Sequence, residues 1–82
     1  MTAEERVLKV ISVLQSRRQR PSTGITLDTV LYRDGLGLDS LGAAELSALL
    51  EMEFERDPYS EGQIPQTVRD LVRFYDSSPS PP

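Results

Sequence analysis

Gly35 to Glu55 reads GLGLDSLGAAELSALLEMEFE. The stretch opens with turn-forming glycines, passes through Asp39-Ser40, and then runs on without a helix breaker. Asp39 and Ser40 are both residue types that accept hydrogen bonds from the free N–H groups of a first helical turn. The spacing therefore predicts a helix over about 40–55. At 100° per residue, Leu46, Leu49, Leu50 and Phe54 share one face, with Ala43 beside them, and this is the core face. Glu53 falls at its edge, where its carboxylate is expected to snorkel outward. A second stripe lies almost opposite: Leu41, Ala44, Ala48 and Met52, flanked by Glu45 and Glu51. Small and apolar residues bordered by acids are unusual on a solvated face. Either the preceding loop folds over the stripe, or it is a docking strip for a partner with apolar pockets and basic rims. The strip starts directly after Ser40, which favours docking.

Outward from this helix, TAEERVLKVISVLQS (Thr2–Ser16) predicts a first helix over about 3–17. Val7, Ile11 and Leu14 lie on one side, with Leu8 and Val10 flanking. Glu4 and Glu5 stand in its first turn and Arg17–Arg20 (RRQR) at its end, the polarity the helix dipole favours. Pro21 and Gly24 then break it. About 20 residues separate the two helices, long for a connection in a compact domain. Ile25, Leu27, Val30, Leu31, Leu36 and Leu38 pin that loop across the core, and a short helical turn is expected near Leu27–Tyr32. Downstream, Pro58 ends the middle helix, and DPYSEGQIP has room for one short helical turn. QTVRDLVRFYD predicts a last helix over 66–76, with Val68, Leu71, Val72 and Tyr75 at i, i+3, i+4, i+7. Thr67 and Asp70 have capping-box spacing. The expected fold is all-α: a small bundle of three main helices plus one short helix, with a long ordered loop between helices 1 and 2. Residues 1–76 form a single domain, and 77–82 (SSPSPP) a disordered tail.

Composition narrows the function. Eighty-two residues with 38% hydrophobic and 27% charged side chains suit one small globular domain. The chain has no cysteine, histidine or tryptophan. Disulfides, thiolate metal sites and thiol catalysis are excluded, and so is the commonest general base. The lack of cysteine fits a cytoplasmic protein. No apolar run reaches membrane-span length and no signal peptide is visible, so no membrane partner is expected. A net charge of −4 argues against nucleic acid and leaves a basic protein surface as partner. No apolar face remains beyond the strip, so a monomer is expected.

Ser40 is the residue to explain. A serine nucleophile needs a base and an oxyanion hole. There is no histidine, Lys9 is the only lysine, and the stretch is not G-x-S-x-G. A plain N-cap accounts for the serine but not for the apolar strip. A third reading makes Ser40 the acceptor of a group attached by another enzyme. Free N–H groups and the positive end of the dipole favour a phosphodiester there, and the modifying enzyme supplies the base.

Gly37-Leu38-Asp39-Ser40-Leu41 resembles the G-x-D-S-L signature of phosphopantetheine carrier domains, the acyl and peptidyl carrier proteins. IPQTVRDLVRFY (Ile64–Tyr75) resembles the last carrier helix with its proline–threonine–valine start. The resemblance spans about residues 4–76. It implies that a phosphopantetheinyl transferase, holding magnesium, moves 4′-phosphopantetheine from coenzyme A to the Ser40 hydroxyl. Asp39 then helps position the reaction. Leu41, Ala44, Glu45, Ala48 and Glu51 match the positions by which carriers dock to partner enzymes, and Met52 extends that strip. Gly42 and Met52 replace acids common in fatty-acid carriers. The departure suggests a free-standing acyl carrier of a specialised, polyketide-like pathway, with loading and downstream enzymes acting in trans. An aminoacyl or peptidyl carrier of a nonribosomal-peptide-like pathway is the alternative. A cofactor-free helical interaction module is a more distant one. No catalytic residue and no metal site of its own is expected.

Overall fold

A computed structural model describes residues 2–76. The described chain is helical: α1 (Ala3–Arg17), α2 (Ser40–Phe54), one 3₁₀ turn (Tyr59–Glu61) and α3 (Val68–Asp76). This is the expected all-α bundle. The tail expected at 77–82 lies outside the described residues.

α1 begins with a capping box that the sequence reading passed over. The Glu5 N–H donates to Thr2 Oγ1 at 3.1 Å, and the Thr2 N–H donates to Glu5 Oε1 at 3.2 Å. Two otherwise unpaired donors are satisfied reciprocally. α1 and α2 run antiparallel. Arg6 meets Glu53 near the end of α2, while Arg18 reaches the carbonyls just ahead of its start.

The core is aliphatic. Val7, Val10, Ile11 and Leu14 of α1 meet Leu46, Leu49 and Leu50 of α2 and Val68, Leu71 and Val72 of α3. Leu31, Leu36 and Leu38 of the long loop are buried in the same cluster. Each large aliphatic side chain so buried contributes about 1.5–3 kcal/mol. Phe54 closes the lower end, stacked on Tyr75 at 3.6 Å between ring centroids, with the Arg6 guanidinium 4.3 Å over its ring. Glu53 does not snorkel into solvent as expected. Its carboxylate accepts from Arg6 Nε at 2.8 Å and lies 3.6 Å from Lys9 Nζ, because antiparallel packing brings these two cations of α1 alongside.

The long loop is ordered by backbone bonds to Gln66 and to the first turn of α3. Val30 and Thr67 form an antiparallel bridge. The Leu31 N–H donates to Gln66 O at 2.8 Å, the Val68 N–H to Thr29 O at 3.0 Å, and the Arg69 N–H to Leu27 O at 2.8 Å. The helical turn expected at Leu27–Tyr32 is therefore absent, since its backbone groups are engaged across the molecule. The same bridge delays α3 from 66 to 68. The Thr67–Asp70 box does form: Asp70 Oδ2 accepts from the N–H groups of Gln66 and Thr67, and the Asp70 N–H donates to Thr67 Oγ1.

The short helical turn sits where the connector allowed one. Asp57, 2% exposed and one residue ahead of the Pro58 N-cap, braces it by accepting from the Ser60 N–H at 3.1 Å and the Ser60 hydroxyl at 2.7 Å. α2 stops at Phe54, one residue before the expected end. Glu55 turns left-handed (φ 63°) and donates its N–H to Glu51 O at 2.8 Å.

Candidate functional site at the start of α2

Two loop contacts deliver the chain to the start of α2. The Leu36 N–H donates to Val30 O at 2.8 Å and the Leu38 N–H to Leu31 O at 3.0 Å. Gly37 between them is left-handed (φ 71°), a conformation that costs an L-residue about 1–2 kcal/mol. Leu38 then buries its side chain, and Asp39 becomes the N-cap: its Oδ1 accepts from the Gly42 N–H at 2.8 Å. Gly42 is itself buried. A Cβ there would lie 3.0 Å from Leu38 Cδ2 and 3.4 Å from Asp39 Oδ1. A side chain at position 42 would press on Leu38, so the glycine suits the packing beneath the start of α2.

With Asp39 capping, Ser40 is released from that task. It is exposed, it is the first residue of α2, and no described residue hydrogen-bonds to its hydroxyl. The hydroxyl stands at the positive end of a 15-residue helix. Asp39 is a poor base for it. The Gly42 N–H holds the carboxyl below the usual aspartate range against a modest desolvation, and the Arg18 charge adds to the depression. The site can receive an anionic group, and among the described residues none is placed to activate the serine.

Arg18 is a feature the sequence reading missed. RRQR reads in the sequence as dipole compensation, and Arg17 does occupy the last turn. Arg18 instead crosses to the signature loop, donating from Nη1 to Leu36 O at 3.3 Å and from Nη2 to Gly37 O at 3.5 Å. Nη1 also faces Oε1 of the buried Gln15 at 3.4 Å. A cation therefore stands over the signature loop, within electrostatic reach of Asp39. No pattern in the sequence connects positions 18 and 36–37; only the packing of α1 against the loop does.

Beside Ser40 lies an open depression lined by Tyr32, Leu38, Ala43, Tyr59 and Ile64. The hydroxyls of Tyr32 and Tyr59 are hydrogen-bonded to each other at 2.7 Å. Ile64 is 69% exposed.

The second stripe of α2 is open to solvent. Leu41 is 70% and Met52 76% exposed. Ala44, Ala48 and Glu51 are exposed as well, and Glu45 is half-buried. The long loop does not cover the stripe, being tied instead to Gln66–Arg69. Among the described residues, no helix is long and apolar enough to cross a membrane.

A search among curated proteins finds no match. The family model for a phosphopantetheine attachment site matches residues 8–75, from within α1 to the end of α3. The chain belongs to the phosphopantetheine-attachment family: it is a carrier domain that bears 4′-phosphopantetheine covalently, and not an enzyme.

Proposed function

We propose that Ser40 is the attachment residue and that the protein carries acyl groups between the enzymes of a specialised, polyketide-like pathway. The observation that carries the assignment is the division of labour at the start of α2. Asp39 caps the helix through Gly42, which leaves the Ser40 hydroxyl exposed and without a described partner. The residues present fit the cofactor's phosphodiester: a helix N-terminus and the Arg18 cation favour the anion. The cofactor, once attached, supplies a terminal thiol on which an acyl group is held as a thioester. Tethering raises the effective concentration of that group at each partner's active site.

Carrier domains meet a phosphopantetheinyl transferase and biosynthetic enzymes. Leu41, Ala44, Glu45, Ala48, Glu51 and Met52 form the docking strip in this reading, supported by their position directly after Ser40 and by two large apolar side chains left in water. Asp39 positions the signature backbone for the transferase. The acidity of the chain favours acyl over aminoacyl cargo, and an amino-acid-specific adenylating enzyme that loads the thiol would reverse that preference.

The test is an intact-mass spectrum after incubation with coenzyme A, magnesium and a broad-specificity transferase, beside Ser40→Ala. The wild type gains one phosphopantetheine and the variant none, while the variant keeps its helical circular dichroism. Equal mass gain in both proteins would remove Ser40 from the site.

A further inference from the structure

α1 and α2 leave an apolar groove between them on the outside of the bundle. Val10 and Leu49, both buried, form its floor, and Val13 and Met52 its walls. Val13 is 39% and Met52 76% exposed. Met52 lies about 18 Å along the α2 axis from Ser40, so the groove is separate from the attachment site. Lys9, Val13 and Arg17 recur every four residues, share one flank of α1 and line the groove. The two cations stand about 6 Å to either side of Val13 along the helix axis. Lys9 shares the Glu53 carboxylate with Arg6. Arg17 is exposed and forms no ion pair with a described residue. Arg6, Lys9 and Arg17 thus face a single carboxylate of α2 here, a positive flank on a chain whose net charge is −4.

We infer that this groove is the second half of the docking face, and that it receives an amphipathic helix of a partner protein with one acidic edge. The inference rests on the reading of Leu41–Met52 as a docking strip. Continuity comes from Met52, which is both the last residue of that strip and a wall of the groove. Exposed apolar surface therefore runs from Leu41 and Ala48 over Met52 to Val13. Its two borders carry opposite charge. Glu51 lies 100° around α2 from Met52, on the side away from the groove. Glu45, two turns before Met52, adds a second carboxylate on the α2 side. Lys9 and Arg17 form the α1 border. A helix laid along this band presents an apolar stripe at i, i+3, i+4, i+7 to Met52, Leu49 and Val13. Carboxylates on one edge then meet Lys9 and Arg17, and cations on the other meet Glu45 and Glu51. The strip alone asks for a basic partner, and the groove adds the acidic edge. Met52, unbranched and flexible, adapts to stripe side chains of different shape.

The experiment titrates the full chain, with isotope-labelled methyl groups, with three synthetic helical peptides. All three carry leucine at i, i+3, i+4 and i+7. One has glutamate along one edge and lysine along the other, one has lysine along both, and one has glutamate along both. The mixed-edge peptide is expected to bind tightest and to shift the methyl resonances of Val13, Leu49 and Met52 together. The double variant Lys9→Glu, Arg17→Glu is expected to bind it at least about fivefold more weakly at low salt, while the all-lysine peptide does not weaken. Both positions are exposed, and circular dichroism verifies that the bundle stays folded. Arg17→Glu alone, which has no ion pair to lose, repeats the test if the double variant melts. Ser12→Glu, on another flank of α1, is the control for added negative charge and is expected to change nothing. Tightest binding of the all-lysine peptide, with Leu41 and Ala44 shifted and Val13 unmoved, would overturn the groove and leave the α2 strip standing. Equal weakening by Ser12→Glu would overturn the groove as well. No shift at Leu41, Ala44 or Val13 with any peptide would overturn the strip and the groove together.

Discussion

Gly35→Ala tests how rigidly the signature loop is built. A Cβ at position 35 would lie 1.7 Å from Val30 O, 2.6 Å from Val30 C and 2.9 Å from Val30 Cα. All three are backbone atoms, so no side chain can rotate away. To reach even 3.0 Å from the oxygen, the two segments must part by roughly 1.3 Å. That carbonyl accepts from the Leu36 N–H at 2.8 Å, and losing the bond costs about 1 kcal/mol. Leu36 and Leu38, both nearly fully buried, ride on the displaced segment. Partial exposure of the two adds about 2 kcal/mol or more. The total is near 3 kcal/mol, comparable with the roughly 3–5 kcal/mol expected for a core of this size. Gly35→Ala should therefore be largely unfolded at room temperature, or melt at least about 10 °C below wild type. Thermal unfolding followed by circular dichroism reads this directly. Gly24→Ala is the control. A Cβ there meets nothing within 4 Å, and only the positive φ of 79° is penalised, about 1–2 kcal/mol. A Gly35→Ala protein as stable as wild type would refute the close approach and the rigid loop inferred from it.

Three further outcomes follow from the geometry. Burial raises the Asp57 carboxyl, but the two Ser60 bonds outweigh it and leave the group below its ordinary 3.8. Its contribution is present above that value and is lost as pH falls below about 4, so Asp57→Asn should flatten the acid limb of urea midpoint against pH. Superimposable acid limbs would contradict the assignment. Burial, and for Tyr59 the bond to Tyr32, raises the phenols of Tyr59 and Tyr75 above their ordinary 10. Stability from these groups is complete below pH 10 and lost above it; absorbance at ~295 nm should show both ionising with the unfolding step, and Tyr59→Phe should remove one equivalent from it. Arg18→Ala removes the two carbonyl contacts and should cost about 1 kcal/mol by urea unfolding, while slowing mass gain at Ser40. A variant unchanged in both would show that Arg18 does not hold the loop.

The helices were legible because their signals are local. Val7, Ile11 and Leu14 declare α1 by spacing alone, and Leu46, Leu49 and Leu50 declare the inner face of α2. The stripe from Leu41 to Met52 was legible for the same reason. What escaped detection was set by contacts between distant segments. The segment from Leu27 to Tyr32 has an apolar spacing compatible with a helical turn, yet its backbone pairs with Gln66–Arg69 some 40 residues on. Glu53 at the edge of a face says nothing about direction until α1 brings Arg6 and Lys9 beside it. Asp39 and Ser40 are equally good caps by residue type; only the Gly42 N–H, 2.8 Å from Asp39 Oδ1, separates their roles. Arg18 reads as one arginine in a run until the loop passes under it.

The bonds that shape the signature loop come from the loop itself, from the end of α1 and from the segment ahead of α3. Val30 O and Leu31 O hold Leu36 and Leu38, Gln66 O holds Leu31, and Arg18 holds the carbonyls of Leu36 and Gly37. The bond from Leu31 to Gln66 O cannot close until the segment preceding α3 has arrived. A chain emerging from the ribosome thus displays the five signature residues before the loop that leads to them is fully tied. The signature loop is tied on both flanks, and its last tie waits for residues made some 25 positions after Ser40.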